Sequence, residues 1–270
     1  MPVVQEVPSQ SPLASAPLAL VTGGHRRLGA HIAAALAGAG YRIAIHGSHD
    51  AEPDAELAAA LATGGREWAG FVADFADPAS AEGLLDAVIA HFGGAPDLLV
   101  NSASLFGQDR LESVGADDLA RHFAVNASAP ALLTKAFAAT VPAGGDGRDR
   151  SIVNILDQRL QHPHADQFAY TLSKFALAGL TRTSAQVLAP HVRVNAVAPG
   201  LTLVTPDYVE GQAERLAALM PLARLPAPQE VAQAVLYLAG ARATTGQVIH
   251  VDGGAHMVAY AQDFMGMVRD

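Results

Sequence analysis

Short apolar runs recur along the chain, and between them lie longer stretches whose apolar residues follow helical spacing. The runs are rich in Val, Ile, Leu and Ala and do not alternate strictly, which is typical of strands covered on both faces of a parallel sheet. They predict strands at 18–22, 41–46, 68–73, 97–101, 151–156, 192–198 and 247–251. The longer stretches predict helices near 28–39, 54–63, 78–92, 117–140, 166–189 and 228–240.

This alternation of strands and helices predicts an α/β fold with a Rossmann-type, doubly wound parallel sheet in a single domain. We assign that domain to residues 18–270, and we interpret residues 202–227, which contain three prolines, as an irregular flap within it. Residues 1–17 are rich in Pro, Ser and Ala and lack both a basic start and a long apolar stretch. We interpret them as a disordered leader and not as a signal peptide.

The acidic composition of the chain limits the classes of partner that it can bind. The formal net charge is −9, and no dense basic block occurs, which argues against nucleic acid or an anionic membrane. No apolar window approaches the about 18 residues of a membrane span. Cysteine is absent, which excludes disulfides and fits a cytoplasmic protein. His162 and His164 flank Pro163 without forming a metal-binding motif, so no metal site is predicted.

A glycine-rich turn, TGGHRRLG at residues 22–29, joins the first strand to the first helix. Gly23, Gly24 and Gly29 let the backbone approach a pyrophosphate, and the helix N-terminus supplies free N–H groups. The turn therefore predicts a dinucleotide site.

The side chains around this turn favour NADPH over NADH. Arg26 and Arg27 carry guanidinium groups, which match phosphate oxygens. The second strand ends in IHGSHD and has no acidic residue at its tip, where one would bind the ribose hydroxyls of NAD. We expect Ser48, His49 and Arg26 to surround a 2′-phosphate.

Tyr170 and Lys174 are four residues apart on a predicted helix and therefore share one of its faces. The pKa of a free tyrosine is about 10, and a nearby ammonium group lowers it. We expect Tyr170 to act as a general acid while the substrate accepts a hydride.

Taken together, these motifs resemble the short-chain dehydrogenase/reductase family over about residues 18–254. The family's motifs follow one another in its usual order: the glycine turn, NSA at 101–103, Asn126, the Tyr170–Lys174 pair, Pro199–Gly200 and the closing GQVIHVDGG. The resemblance implies a Rossmann fold, an NADPH-dependent reductase activity and a homotetramer. The tetramer would form through the helices near 117–140 and 166–189 and the C-terminal strand. We also expect the apolar C-terminal tail to be buried against a neighbouring subunit.

Three departures from the common family pattern resemble its pteridine reductase branch, which includes the bacterial dihydromonapterin reductases. Arg27 replaces a small residue in the turn, and Asp157 replaces the serine that usually precedes the tyrosine. Phe106 follows the NSA motif, where the resemblance implies that it stacks on a pterin. The implied substrate is a pterin or a folate.

The resemblance also implies a role for individual residues. The catalytic residues are Asn126, in a proton-relay path, together with Asp157, Tyr170 and Lys174. The substrate residues are Arg27, Ser104, Phe106, Asp157 and Tyr170. Thr202 is expected at the nicotinamide amide, with Thr205 as the alternative. The cofactor residues are Gly23, His25, Arg26, Arg27, Leu28, Gly29, His46, Ser48, His49, Asp74, Phe75, Asn101, Ser102, Ala103, Tyr170, Lys174, Pro199, Gly200 and Thr202.

The replacement of serine by Asp157 points to the type of bond that is reduced. A serine hydroxyl donates to a carbonyl oxygen as that oxygen becomes negative, whereas an ionised carboxylate donates nothing and repels an alkoxide. A C=N bond has the opposite electrostatic requirement, because its nitrogen gains a proton and carries positive charge in the transition state. Asp157 therefore favours an imine-type substrate such as a dihydropteridine.

Two other functions stay open from the sequence. One is a general carbonyl reductase of the same family, against which Asp157 argues. The other is a protein that binds NADPH as a sensor without catalysis, against which the intact Asn126, Tyr170 and Lys174 argue.

Overall fold

A single parallel sheet forms the centre of the molecule, and it confirms the predicted fold. A computed structural model describes residues 16–269. Each strand lies within one residue of its prediction. The five central strands are buried on both faces, as their apolar runs indicate, whereas the two edge strands are exposed or half-buried. The strands are β1 (Leu18–Thr22), β2 (Arg42–Gly47), β3 (Trp68–Val72), β4 (Leu98–Asn101), β5 (Arg150–Ile155), β6 (Val192–Pro199) and β7 (Val248–Val251).

The order of the strands places a ligand site at one edge. In the sheet the order is β3-β2-β1-β4-β5-β6-β7, and each neighbouring pair is parallel. The chain winds outward in one direction from β1 and in the other from β4, so the order reverses between these two strands. Ligands of such sheets bind at the carboxyl ends of the strands beside this reversal. Thr22 and Asn101 end the two strands there, paired in register.

Helices cover both faces of the sheet. The core on one face includes α1, α2 and α8, and the core on the other includes α3, α5 and the C-terminal part of α6. Among residues 16–269, no helix combines the length and the apolarity that a membrane crossing needs. The helices are α1 (Arg27–Gly38), α2 (Ala55–Gly64), α3 (Pro78–Phe92), α4 (Ala116–Phe123), α5 (Ala129–Ala139), α6 (Phe168–Leu188), α7 (Gln212–Leu219) and α8 (Pro228–Gly240).

The helix predicted at 117–140 is interrupted by a wider turn. A π-helical turn, Ala124–Ser128, separates α4 from α5. Pro130 lies in the first turn of α5 and has no N–H, so it cannot donate to the carbonyl of Asn126 four residues earlier. Such π-helical turns occur frequently at functional sites, and this one carries Asn126.

The interpretation of residues 202–227 as irregular missed one helix. α7 lies inside this flap, where the prolines fall outside the helix and do not interrupt it. Leu216 of α7 is fully buried against Met220 and Phe264. The predicted leader lies almost wholly outside the described residues. Only its last two residues are described, and the backbone N–H of Arg42 donates to the Pro17 carbonyl at 2.8 Å.

A buried chain of polar side chains fixes the carboxyl ends of the central strands. The Asn101 amide donates to Asn154 Oδ1, and the Asn154 amide donates to Thr181 Oγ1, each at 2.8 Å. Thr22 Oγ1 accepts from the backbone N–H groups of Ser102 and Ala103, each at 3.0 Å. These bonds tie β1, β4, β5 and α6 together directly below the predicted site.

We predict that Asn154→Ala lowers the free energy of unfolding by about 1–3 kcal/mol, because it leaves the buried amide of Asn101 without its acceptor. Urea denaturation measures this. Thr63→Ala, which removes an exposed hydroxyl bonded only to the Ala59 carbonyl within α2, is the control and should cost less than about 0.5 kcal/mol. Equal effects of the two substitutions would contradict the role of the buried chain.

Candidate active site

The turn between β1 and α1 has room only for glycine at its critical positions. Gly23 has a φ of +61°. A Cβ on Gly24 would lie 2.6 Å from the Val21 carbonyl oxygen, and one on Gly29 would lie 2.0 Å from the Gly23 carbonyl oxygen. No side chain caps α1 at Arg26, so the first N–H groups of the helix are available to a phosphate. The turn therefore fits the pyrophosphate of a dinucleotide.

His46 supports this turn from behind, which corrects its prediction as a cofactor contact. Its Nδ1 accepts from the Gly23 N–H at 3.2 Å, and its Nε2 donates to the Ala73 carbonyl at 2.8 Å. The ring stacks on Phe75 with the centroids 4.2 Å apart. Because the ring is 2% exposed and both nitrogens are engaged, it is not available to a ligand. Burial lowers the pKa of His46 to about 4.

The residues predicted around a 2′-phosphate lie together with the turn at the end of β2. Arg26, Arg27, Ser48 and His49 are all exposed. Arg27 has a φ of +55°, a conformation that residues other than glycine seldom adopt and that clusters at functional sites.

The other predicted cofactor residues near β2 and β3 differ in exposure. The His25 side chain is buried, with Nδ1 3.3 Å from the carbonyl oxygen of His46. Leu28 is half-buried, and Asp74 is exposed and accepts from the Ala76 N–H at 3.0 Å. Phe75 is buried, so only its backbone can face an adenine.

Asp157 and Tyr170 are in direct contact at the carboxyl end of β5. The phenol of Tyr170 donates to Asp157 Oδ2 at 2.8 Å, and the backbone N–H of Arg159 donates to the other carboxylate oxygen at 2.8 Å. Lys174, one turn along α6, donates to the Ile155 carbonyl at 2.8 Å, and its Nζ lies 5.7 Å from the centre of the Tyr170 ring. The structure thus brings the predicted aspartate, tyrosine and lysine together.

Burial and the charges around Tyr170 act on its pKa in opposing directions. Burial, and next to it the negative charge of Asp157, raise the pKa of Tyr170 well above its usual value. Burial also lowers the pKa of Lys174 to about 8, against the opposing effect of Asp157. Lys174 is not among the groups with the largest effects on the pKa of Tyr170. Among the groups that act on Tyr170, the cation that lowers its pKa is Arg159.

Asn126 holds the loop after β4 against α6. Its amide donates to the Leu105 carbonyl and to Ser173 Oγ, each at 2.9 Å, and its Oδ1 accepts from the Leu105 N–H at 2.7 Å. Ser173 in turn donates to the Tyr170 carbonyl at 2.6 Å. The side chain of Asn126 thus connects the loop at Leu105 to α6 at Ser173. Its place in a proton-relay path stays a prediction.

The loop after β4 also brings Phe106 to the tyrosine. The two ring centroids are 4.8 Å apart and the planes are tilted by 70°. Phe106 keeps 46% of its surface exposed, and Ser104 is exposed beside it. An exposed aromatic face next to a proton donor suits a flat heterocycle.

The carboxyl end of β6 leads into the flap. Pro199 is buried, and a Cβ on Gly200 would lie 2.8 Å from Asp252 Cβ, so the chain passes closely under the segment after β7. Thr205 donates to Asp207 at 2.9 Å. Thr202 is half-buried at the start of the flap. The local bond of Thr205 favours Thr202 as the residue that contacts a nicotinamide amide, which stays a prediction.

Two residues of the site escaped the sequence analysis. Arg159 is 2% exposed, and its guanidinium carbon lies 5.4 Å from the centre of the Tyr170 ring. Its Nε is 3.7 Å from Asp157 Oδ1, and its Nη2 pairs with Asp263 near the C-terminus. A buried arginine is rare, and neither its position two residues after Asp157 nor the tail sequence signalled this pairing.

A glycine turn at the reversal of strand order, beside a tyrosine that can deliver a proton, defines a dinucleotide-binding oxidoreductase. The family model described as enoyl-(acyl carrier protein) reductase matches residues 24–256. The chain belongs to the short-chain dehydrogenase/reductase family.

Several similar proteins are named for pterin or folate reduction. FolM alternative dihydrofolate reductase 1 from Brucella suis, crystallised with NADP, has a TM-score of 0.78 and 36% identity, covering 90% of this chain and 96% of that one. Pteridine reductase 1 from Leishmania tarentolae is 36% identical over 89% of this chain and 96% of its own length. A Streptomyces violaceoruber protein named for ketoacyl reductase 2 of the granaticin polyketide synthase is 35% identical over 90% and 97%.

We predict that His46 makes the molecule sensitive to acid. Its pKa is lowered from 6.5 to about 4 on folding, so the unfolded chain takes up the proton first. Stability is therefore complete above pH 6.5 and is lost as the pH falls towards 4. At about pH 7, His46→Gln should be less stable than the parent. Between about pH 7 and about pH 4.5, its free energy of unfolding should fall by on the order of 2 kcal/mol less than that of the parent.

Urea denaturation at the two pH values measures this difference. His162→Gln, which changes an exposed histidine, is the control and should behave like the parent. A loss in His46→Gln as large as in the parent would show that this buried ring is not responsible.

Proposed function

We propose that this protein is an NADPH-dependent reductase that converts dihydropteridines or dihydrofolate to their tetrahydro forms by reducing a C=N bond. The contact between Asp157 and Tyr170, 2.8 Å, carries the proposal. A carboxylate that is hydrogen-bonded to the phenol suits a substrate nitrogen that gains a proton and positive charge. The similar proteins named for pterin and folate reduction support the same substrate class.

The cofactor residues of the proposal lie along the carboxyl ends of β1, β2, β4 and β6. The turn at 22–29 would hold the pyrophosphate, and Arg26, Ser48 and His49 would hold the 2′-phosphate. Lys174 would bind the nicotinamide ribose, as the family resemblance implies. The similar Brucella structure contains NADP. Bound NADPH would supply the hydride that reduces the carbon of the C=N bond.

The nitrogen of that bond receives its proton from Tyr170 Oη. If Tyr170 gave up its proton alone, a phenolate would stand beside the Asp157 carboxylate in a buried site, which the raised pKa of Tyr170 disfavours. A proton taken up by Asp157 and passed through Oη avoids this state. Tyr170 is then neutral before and after the transfer, and Asp157 ends ionised beside the newly protonated nitrogen.

A ketone substrate is the alternative, favoured by the similarity to the protein named for ketoacyl reduction. The site argues against it, because Asp157 offers an acceptor where a developing alkoxide needs a donor. In the structure that carboxylate accepts from the phenol and from a backbone N–H.

The proposal includes a homotetramer in the cytoplasm. Phe123 of α4 and Leu172, Phe175 and Val187 of α6 are large apolar residues that are 36–71% exposed. They lie on the helices that the family resemblance assigns to subunit contacts. Burial of these side chains between subunits would remove apolar surface from water.

We predict that Asp157→Ser loses activity on dihydropterins, with kcat/KM lower by on the order of 10²-fold, because the carboxylate that supplies the proton is gone. Its rate with ketones relative to dihydropterins should rise, since a serine hydroxyl can donate to an oxyanion. NADPH oxidation with dihydrobiopterin, dihydromonapterin, dihydrofolate and a panel of ketones measures both changes.

Asp86→Ser, on the exposed side of α3, is the matched control and should keep the parent's rates. An Asp157→Ser enzyme that reduces pterins as well as the parent would refute the role of the aspartate. A parent enzyme that prefers ketones would refute the substrate class.

We predict that Phe106→Ala raises KM for dihydropterins about tenfold, because a stacked aromatic pair contributes about 0.5–1.5 kcal/mol beyond the area that it buries. KM for NADPH should stay unchanged. Leu111→Ala, which truncates a side chain in the same loop that is 64% exposed, is the control. Equal KM values in the two variants would show that Phe106 does not contact the substrate.

A further inference from the structure

Arg159 is a buried cation enclosed by the catalytic residues on one side and the C-terminal segment, residues 258–269, on the other. Its guanidinium lies over the ring of Tyr170, and its Nη1 donates to Thr171 Oγ1 at 3.3 Å. Nε faces Asp157 at 3.7 Å, which is too long for a hydrogen bond, and this nitrogen has no hydrogen-bond partner among the described residues. The strongest partner of Arg159 is Asp263, through Nη2.

Asp263 is itself fixed in place by several elements. Its backbone N–H donates to Asp166 Oδ2 at 2.9 Å, and its Oδ1 accepts from the Met265 N–H at 2.9 Å. The ring of Phe264, next along the chain, is 4% exposed and packs on α7. This packing within one subunit differs from the expected burial of the tail against a neighbour.

The flap helix α7 binds the same segment through its polar side chains. The Gln212 amide, 0% exposed, donates to the carbonyls of Phe264, Met265 and Met267, at 3.2, 3.3 and 2.6 Å. Arg215 Nε donates to the Val268 carbonyl at 2.8 Å. A continuous set of contacts therefore runs from the flap helix through the C-terminal segment to Arg159.

We propose that Arg159 is a positioning residue for the reaction: held by Asp263, it fixes the Tyr170 ring and balances the charge of Asp157, so that the proton donor depends on the C-terminal segment. Arg159 is buried and does not touch the substrate. This inference rests on the proposed function only where activity is the readout.

The charges around the phenol set the direction of the expected effects. Four charged groups surround Tyr170. Asp157 and Arg159 lie in the segment after β5, Lys174 lies on the same helix as Tyr170, and Asp263 lies in the C-terminal segment. His164 lies in the same group, with Nδ1 3.8 Å from Asp166 Oδ1. Arg159 lowers the pKa of Tyr170 and Asp263 raises it. Removal of the Arg159 charge should therefore move the release of the proton to higher pH, and removal of the Asp263 charge should move it to lower pH.

Substitution of the two partners tests this. For Arg159→Met, the alkaline limb of kcat for dihydrobiopterin reduction should move to higher pH by about one unit, with KM for NADPH unchanged. For Asp263→Asn, the limb should move to lower pH. Arg159→Lys keeps the positive charge and should stay closer to the parent than Arg159→Met does. Arg193→Met is the matched control, since Arg193 is also buried and pairs with Asp149 at 3.0 Å, at the amino end of β6 and so at the opposite edge of the sheet from the site.

A second readout does not depend on turnover. The ¹³Cζ NMR resonance of Tyr170, assigned with Tyr170→Phe, should shift in Arg159→Met and stay in place in Arg193→Met. If the parent fails to reduce any pterin, the proposed function fails while this resonance still tests Arg159. If Arg159→Met does not fold, the shift of the limb in Asp263→Asn decides. The proposal would be overturned if neither the alkaline limb of kcat nor the Tyr170 resonance changed in these variants. It would also be overturned if Arg159→Lys and Arg159→Met had the same alkaline limb.

Discussion

The contact between the Tyr170 phenol and the Asp157 carboxylate determines what this site can do. A buried phenol that donates to a carboxylate at 2.8 Å resists ionisation. Two cations, Lys174 and Arg159, lie near the Tyr170 ring. They compensate the negative charge of the Asp157 carboxylate, because a charge without a partner in a buried site costs free energy. These surroundings therefore favour transfer of a proton through the Tyr170 hydroxyl over formation of a lasting phenolate.

The rest of the fold places this pair opposite a dinucleotide. The glycine turn follows β1, whereas Asp157 follows β5 and Tyr170 lies on α6. Thr22 ties β1 to the residues after β4, and the buried amides of Asn101 and Asn154 tie β4 to β5. Asn126 connects the loop that carries Phe106 to the helix that carries Tyr170. His46 fixes the turn without facing a ligand. Positioning of reacting groups to within a fraction of an ångström depends on such supporting contacts.

The features that the sequence predicted well are those set by local pattern or by direct neighbours in the chain. Strands covered on both faces are largely apolar, so their bounds were predictable to one residue. Tyr170 and Lys174 were predicted from their types and spacing, and Asp157 from its position where the family has a serine. Helix α7 was missed because the prolines around it indicate irregular structure. Arg159 and Asp263, 104 residues apart, meet only through the tertiary fold, and the raised pKa of Tyr170 depends first on burial, which spacing does not reveal.

A crystal structure with NADP and a dihydropterin would test the central claim most directly. The account predicts that the Asp157 carboxylate keeps its hydrogen bond to Tyr170 Oη, that both face the nicotinamide, and that the ring nitrogen of the pterin lies within hydrogen-bond distance of Oη. A complex in which the carboxylate turns away from the nicotinamide, or in which Oη binds a carbonyl oxygen of the substrate in place of that nitrogen, would contradict it.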